Sequence, residues 1–178
     1  EQDKAANAPQ PKYRCLVWAC PAHYYTNFTY WTQHCWGVTC VNDMEAMLSY
    51  QPITIGDKEQ ALADLVRCYE KMMMRSHTNG GYVNLLDECW KMCEKFHTNI
   101  VIMYDHVSCK NVGGLHGLFE DQARERGIHL IWIPHDVMDP RTVSRREMRE
   151  AFSQYMVTVL NEKPLDPTLL DYEDALSW

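Results

Sequence analysis

No stretch of these 178 residues stays apolar for the roughly 20 residues that a membrane-spanning helix needs. No charged-then-apolar leader opens the chain, so no signal peptide is visible. Positive charge is scarce: 17 Lys and Arg face 24 Asp and Glu, for a net charge of −7 and a pI of about 5.6. That balance argues against nucleic acid or an anionic membrane as the main partner, because little here would offset phosphate repulsion. P-loop, GxGxxG and GxSxG patterns are missing, which leaves nucleotide hydrolysis by this chain without support. No Ser/Thr/Gly-rich phosphate loop follows the first expected strand, which argues against flavin. Internal repeats and low-complexity segments are also missing. The chain lacks an initiator Met and opens EQDKAANAPQPK. This polar, Pro-containing start reads as a linker over residues 1–12 and suggests a piece of something longer.

What is present is ordinary in bulk and unusual in one residue type. Apolar residues make up 46% and charged residues 23%, a globular composition, and the length suits one domain with its own core. Eight Cys is high, beside ten Met and six Trp. An even count could mean disulfides, but disulfide-dense domains are usually much smaller and secreted. A reducing cytosol is the expected setting, with cysteines acting as small buried hydrophobes or as metal ligands.

Hydrophobic periodicity divides the chain into alternating strands and helices. Short apolar runs at residues 14–18 (RCLVW), 37–41 (GVTCV), 99–104 (NIVIMY) and 129–133 (HLIWI) read as buried strands. Helices are expected from Thr26 or Asn27 to Trp36, from Asp57 through Met73, over the stretch holding Leu85 to Phe96, over 116–126, and from a Ser144 cap to about Leu160. Residues 76–81 (SHTNGG) read as a break. The pattern predicts βαβ units: an α/β, doubly wound, flavodoxin-like parallel sheet with helices on both faces. The domain should run over 13–160, with 161–178 as a loose C-terminal strap. Ligands of such sheets sit at the carboxyl ends of the strands. The loops 19–25, 105–114 and 134–142 fall there.

Cys109 is the sharpest candidate, a loop cysteine at that edge whose neighbour Lys110 would favour the metal-binding thiolate. The plain alternative is a partly buried structural cysteine. Cys15, Cys20, Cys35 and Cys40 form two C-x4-C pairs, but their expected spread over strands and a helix favours core packing over one metal site, least firmly for Cys20. Cys89 and Cys93 share an apolar helix face and read as core; Cys68 says little. His23, His106 and His135 all fall on the carboxyl-edge loops, where each could donate a proton or simply be solvated. Arg141, Arg145, Arg146 and Arg149 read as a solvated face with Glu147 and Glu150, against a minority reading as a grip on a partner or on coenzyme A phosphates.

The segment YDHVSCKNVGG, followed later by IPHDVMDPRTVSRREMREAF, resembles the C-terminal half of subunits of the benzoyl-CoA reductase/2-hydroxyacyl-CoA dehydratase family over roughly residues 12–160. In that family a strand ends in a segment like (H/R)-S-C-K, matched here by Ser108, Cys109 and Lys110, and a D-x-x-D-P-R motif follows the next strand, matched by Asp136 to Arg141. The wording HGLFEDQARERGI and DPRTVSRREMR looks closest to an ATP-dependent benzoyl-CoA reductase subunit. The resemblance implies that Cys109 ligates a [4Fe–4S] cluster whose remaining ligands lie outside this segment, since such clusters take about four ligands. It implies low-potential electron transfer to an aromatic or 2-hydroxyacyl CoA thioester through a ketyl-type radical anion. Reductive dearomatisation of benzoyl-CoA is the first expectation and expulsion of a 2-hydroxyl group the alternative. It also implies a homologous second subunit, an ATP-hydrolysing iron–sulfur activator, and reduced ferredoxin as the ultimate donor. Lys110 would help bind substrate, and His23 or His106 would stabilise charge or supply a proton. The competing class is a cluster-free flavodoxin-like scaffold.

Overall fold

The computed structural model describes residues 11–45, 52–70 and 73–171; the side chains of 73, 74 and 76–79 are left aside. Among these residues four strands form one all-parallel sheet in the order β2-β1-β3-β4. They are β1 (Tyr13–Trp18), β2 (Val38–Asp43), β3 (Ile100–His106) and β4 (His129–His135). β1 and β3 are central and carry nearly unbroken apolar runs, as strands covered on both faces must. Leu16, Trp18 and all residues from Ile100 to Tyr104 are buried. β4 is an edge strand, and it tolerates Pro134 because an edge position need not donate to a neighbour. This is the expected α/β, doubly wound, flavodoxin-like arrangement.

Among the described residues six α-helices accompany the sheet: α1 (Phe28–Trp36), α2 (Lys58–Glu70), α3 (Met73–Phe96), the single turn α4 (Lys110–Gly113), α5 (His116–Arg126) and α6 (Arg145–Thr158). They cover both faces. Phe119 of α5 meets Trp132 edge-on, whereas Tyr155 of α6 lies near His129; three residues apart on β4, these two positions point to opposite sides of the sheet. On the α6 side, Phe28 and Trp31 of α1 pack edge-on against Phe152. On the α5 side, Trp90 of α3 packs on Phe119 and donates its indole N–H to Gln122 at 2.6 Å. Helix ends follow local chemistry. Gly37 and Gly127 close α1 and α5 in left-handed conformations, which glycine adopts without a Cβ penalty. Ser144 and Glu147 form a reciprocal capping box at the start of α6, satisfying two otherwise orphaned N–H groups.

The structure differs from the sequence expectation at several elements. The break expected over 76–81 is confined to one residue: α3 stays helical on either side of Gly81, whose φ of 70° and ψ of −171° kink it. β3 and β4 each run two residues further than expected, because Asp105 pairs with Pro134 and His106 with His135. His106 and His135 therefore end strands and do not lie in loops. The C-terminal strap holds closely over its described part. Leu165 donates its N–H to Cys35 O at 2.7 Å, Trp31 donates its indole N–H to Leu169 O at 2.8 Å, and Tyr13 donates to Glu162 at 2.6 Å. The opening segment 1–10 lies outside the described residues. Among the described residues no helix is long and apolar enough to cross a membrane.

Candidate functional site

The order β2-β1-β3-β4 reverses direction between β1 and β3, the point where open α/β sheets leave a crevice at the carboxyl ends of their strands. A cavity of about 170 Å³ occupies that crevice, and Trp18, Cys20, Tyr104, His106, Cys109 and Val112 are among its lining residues. Its floor is apolar because β1 and β3 bring Trp18 and Tyr104, both buried, to their ends. Two chain segments form its lips: residues 19–25 after β1, and 107–114 after β3. Backbone bonds tie the loops together at this edge. His23 N–H donates to Val137 O at 2.9 Å, and Val107 N–H to His135 O at 3.0 Å.

Cys109 lies on the second lip, half-buried. Its N–H donates to His106 O at 2.9 Å, and its carbonyl accepts from Gly113 N–H at 3.1 Å. It stands at the cap position of α4 in extended conformation, yet its thiol makes no capping bond. The residue lines the mostly apolar cavity and the open groove beside it. All eight cysteines are unbridged.

His106 shares that cavity. Its Nδ1 accepts the Ser108 N–H at 3.1 Å and lies 2.9 Å from Ser108 Oγ. A ring nitrogen that accepts an N–H must present its lone pair, so the neutral imidazole carries its proton on Nε2. His135 is fully buried, with neither ring nitrogen hydrogen-bonded among the described residues. Burial first, and then the His106 ring 5.5 Å away, hold its pKa below the ordinary imidazole value. Lys110 is exposed and lines a broader, open groove of about 680 Å³ around residues 105–114.

The first lip gathers a second set of donors. Cys20 Sγ donates to Glu45 Oε1 at 3.0 Å and lies 3.8 Å from His23 Nε2. Burial and the Glu45 carboxylate push the Cys20 thiol up to about 12. His23 is exposed and is not among the residues lining the Cys109 cavity, so the structure does not bring the two expected histidines together. Sequence reasoning missed Glu45. It stands two residues past β2, and only the parallel pairing of β1 with β2 places it beside Cys20. The C-x2-H spacing of Cys20 and His23 was the available signal.

The remaining candidates are structural. Cys15 and Cys35 are fully buried, as are Cys89 and Cys93. Cys15 sits opposite Cys40 in the sheet register, and the contact with Cys40 together with burial pushes its thiol well up. The D-x-x-D-P-R segment closes on itself. Asp136 Oδ1 accepts the N–H groups of Met138 and Asp139, both at 2.9 Å, and Asp139 grips the Arg141 guanidinium at 2.7 Å, which holds the Asp139 carboxyl at about 2. The arginine run is not one solvated face. Arg146 does pair with Glu150 at 2.8 Å in solvent. Arg145, however, donates to Tyr24 O at 2.7 Å, and buried Arg149 donates to Tyr25 OH at 3.1 Å. Both clamp the first lip.

The donor chemistry suits an iron–sulfur cluster in part. Cys109 brings a cysteine to a mostly apolar cavity, where a cluster takes about four ligands; the described residues do not complete that set. In comparison with known proteins, the family model described as HGD-D, "2-hydroxyglutaryl-CoA dehydratase, D-component", matches residues 1–156. No curated protein matches the chain.

Proposed function

The chain belongs to the 2-hydroxyglutaryl-CoA dehydratase D-component family, and on that premise we propose that it forms one wall of the cluster pocket in a subunit of a 2-hydroxyacyl-CoA dehydratase-type enzyme. The observation that carries this reading is Cys109: an uncapped thiol at the switch-point cavity, inside the segment that the family model matches. Members of the family generally contain an iron–sulfur cluster and work with a partner subunit and an ATP-dependent activator. The partner here would be a homologous second subunit, and reduced ferredoxin would feed the activator.

The bound cluster would supply low-potential electrons to a CoA thioester. Cys109 would hold it from this side, with the other ligands contributed from outside the described residues. Trp18, Tyr104 and Val112 keep water from the cavity floor, where electrostatic interactions gain strength. His106, locked by Ser108 into the tautomer with its proton on Nε2, is the proton donor of this wall, in preference to His23. Lys110 on the open groove suits an anionic coenzyme A group. The likeness of the α5 and α6 segments to benzoyl-CoA reductase subunits supports reductive dearomatisation as the second reading.

The test is iron and sulfide content, with product analysis, of the full-length protein and its partner subunit purified without oxygen, in wild type and Cys109→Ser. Loss of most of the iron and of CoA-ester activity supports the assignment. Unchanged iron and activity would sink it and leave Cys109 an ordinary loop cysteine, and a wild type without iron would favour the cluster-free scaffold. A dehydrated enoyl product points to the first reading and a cyclic diene to the second.

A further inference from the structure

We propose that Cys20, His23 and Glu45 form a second metal site, separate from the cluster, that binds one divalent transition ion of the zinc, iron(II) or cobalt(II) class. The three candidate ligand atoms all lie within 4.8 Å of one another. In a tetrahedral site with Zn–S near 2.3 Å and Zn–N and Zn–O near 2.0 to 2.1 Å, neighbouring ligand atoms stand about 3.5 Å apart. The observed sulfur–oxygen and sulfur–nitrogen separations are 3.0 and 3.8 Å, on either side of that value. Small side-chain rotations would therefore close the site around an ion.

The backbone already holds the three residues in place. Ala19, the first residue past β1, takes a left-handed φ of 67° and turns the chain just before Cys20. The His23 N–H is tied to Val137 O at 2.9 Å, and Tyr25 N–H closes a turn onto Ala22 O at 3.0 Å. Met44 N–H donates to Val17 O at 3.0 Å, which anchors the segment that carries Glu45 against β1. A thiolate, an imidazole and a carboxylate form a mixed donor set that suits borderline ions and not Mg²⁺ or Ca²⁺, which take oxygen alone. Three protein ligands leave a fourth position open, the hallmark of a site that can take water or a substrate oxygen. Cys20 also lines the cavity that holds Cys109, so the open position would adjoin the place proposed for the cluster.

The probe is Co²⁺, titrated without oxygen into the reduced protein and followed by its thiolate charge-transfer absorption. Wild type is expected to bind one equivalent with that band. Cys20→Ser should abolish the band, and His23→Ala and Glu45→Ala should each weaken binding at least about tenfold, since even changes outside the ligand set cost that much. Cys109→Ser should bind cobalt as wild type does while losing cluster iron, so failure of this proposal and failure of the cluster assignment are told apart. Circular dichroism confirms that each variant is folded. The site is refuted if wild type shows no stoichiometric thiolate band, if the band survives Cys20→Ser, or if Cys20→Ser strips the cluster iron, which would make Cys20 a cluster ligand instead.

Discussion

The two lips of the switch-point cavity are built by different means. The lip after β3 holds itself: successive backbone bonds from Cys109 to His106, Gly113 to Cys109, Gly114 to Lys110 and Leu115 to Val112 wind residues 106–115 into one compact turn. The lip after β1 is held from far away in the chain. Arg145 and Arg149 of α6 reach across to Tyr24 and Tyr25, with Arg149 also over the Tyr25 ring at 5.9 Å, and β2 delivers Glu45. A locally wound lip can carry a ligand whose position survives changes elsewhere. A lip held by a distant helix responds to whatever that helix does.

The largest effect expected from this contrast is on bound iron. Cys109→Ser should strip most of it, whereas Cys20→Ser should leave it in place; iron and sulfide assays on the two variants read the difference. Next is Arg149→Ala, which removes a buried charged donor to Tyr25. It should cost about 2 kcal/mol, the usual scale for a hydrogen bond to a charged group, read as a lowered urea midpoint. It should also weaken cobalt binding at Cys20 while sparing the iron at Cys109. Equal losses at both lips would mean that the two are mechanically one unit. Ser144→Ala removes the cap of α6 and should cost about 1 kcal/mol with no change in iron content.

The smallest effect appears only in mild acid. His135 has its pKa lowered by burial and by His106, so the unfolded chain binds its proton more readily than the folded one. Stability is therefore whole above the ordinary imidazole value of about 6.5 and is lost as pH falls from there towards the lower folded value. Melting temperatures measured at about pH 7 and pH 5 should show a steeper drop in wild type than in His135→Phe. Equal drops would mean that His135 does not titrate on unfolding.

The contrast also explains what could be read in advance. The second lip was legible: a strand, then SCK, then Gly113-Gly114 is a local pattern, and its turn is made of local backbone bonds. The first lip was legible only in part. RCLVW, Pro21 and the C-x2-H spacing lie together in the chain, but Glu45 lies 25 residues beyond Cys20, and Arg145 and Arg149 lie farther still. The arginines looked solvated because charged residues at the start of an amphipathic helix usually are. The aromatic residues they cover could not be placed without the packing of α6 on the first loop. The ends of β3 and β4 were missed for the same reason: Asp105, His106, Pro134 and His135 have loop-like character, and only their partners across the sheet make them strand.

The sequence by itself determined the alternation of strands and helices, the parallel doubly wound class, the buried cysteines of the core and the position of Cys109 at a strand's carboxyl edge. These follow from periodicity, from turn chemistry and from neighbours within a few residues. Tertiary structure alone decided that β1 and β3 lie side by side and so open a cavity between their ends. It also decided that Cys20 shares that cavity with Cys109, that Glu45 completes a donor set with Cys20 and His23, and that His135 is buried beside His106. Each of these depends on strand order and helix packing between residues distant in the chain, and local sequence pattern carries no record of which strand lies next to which.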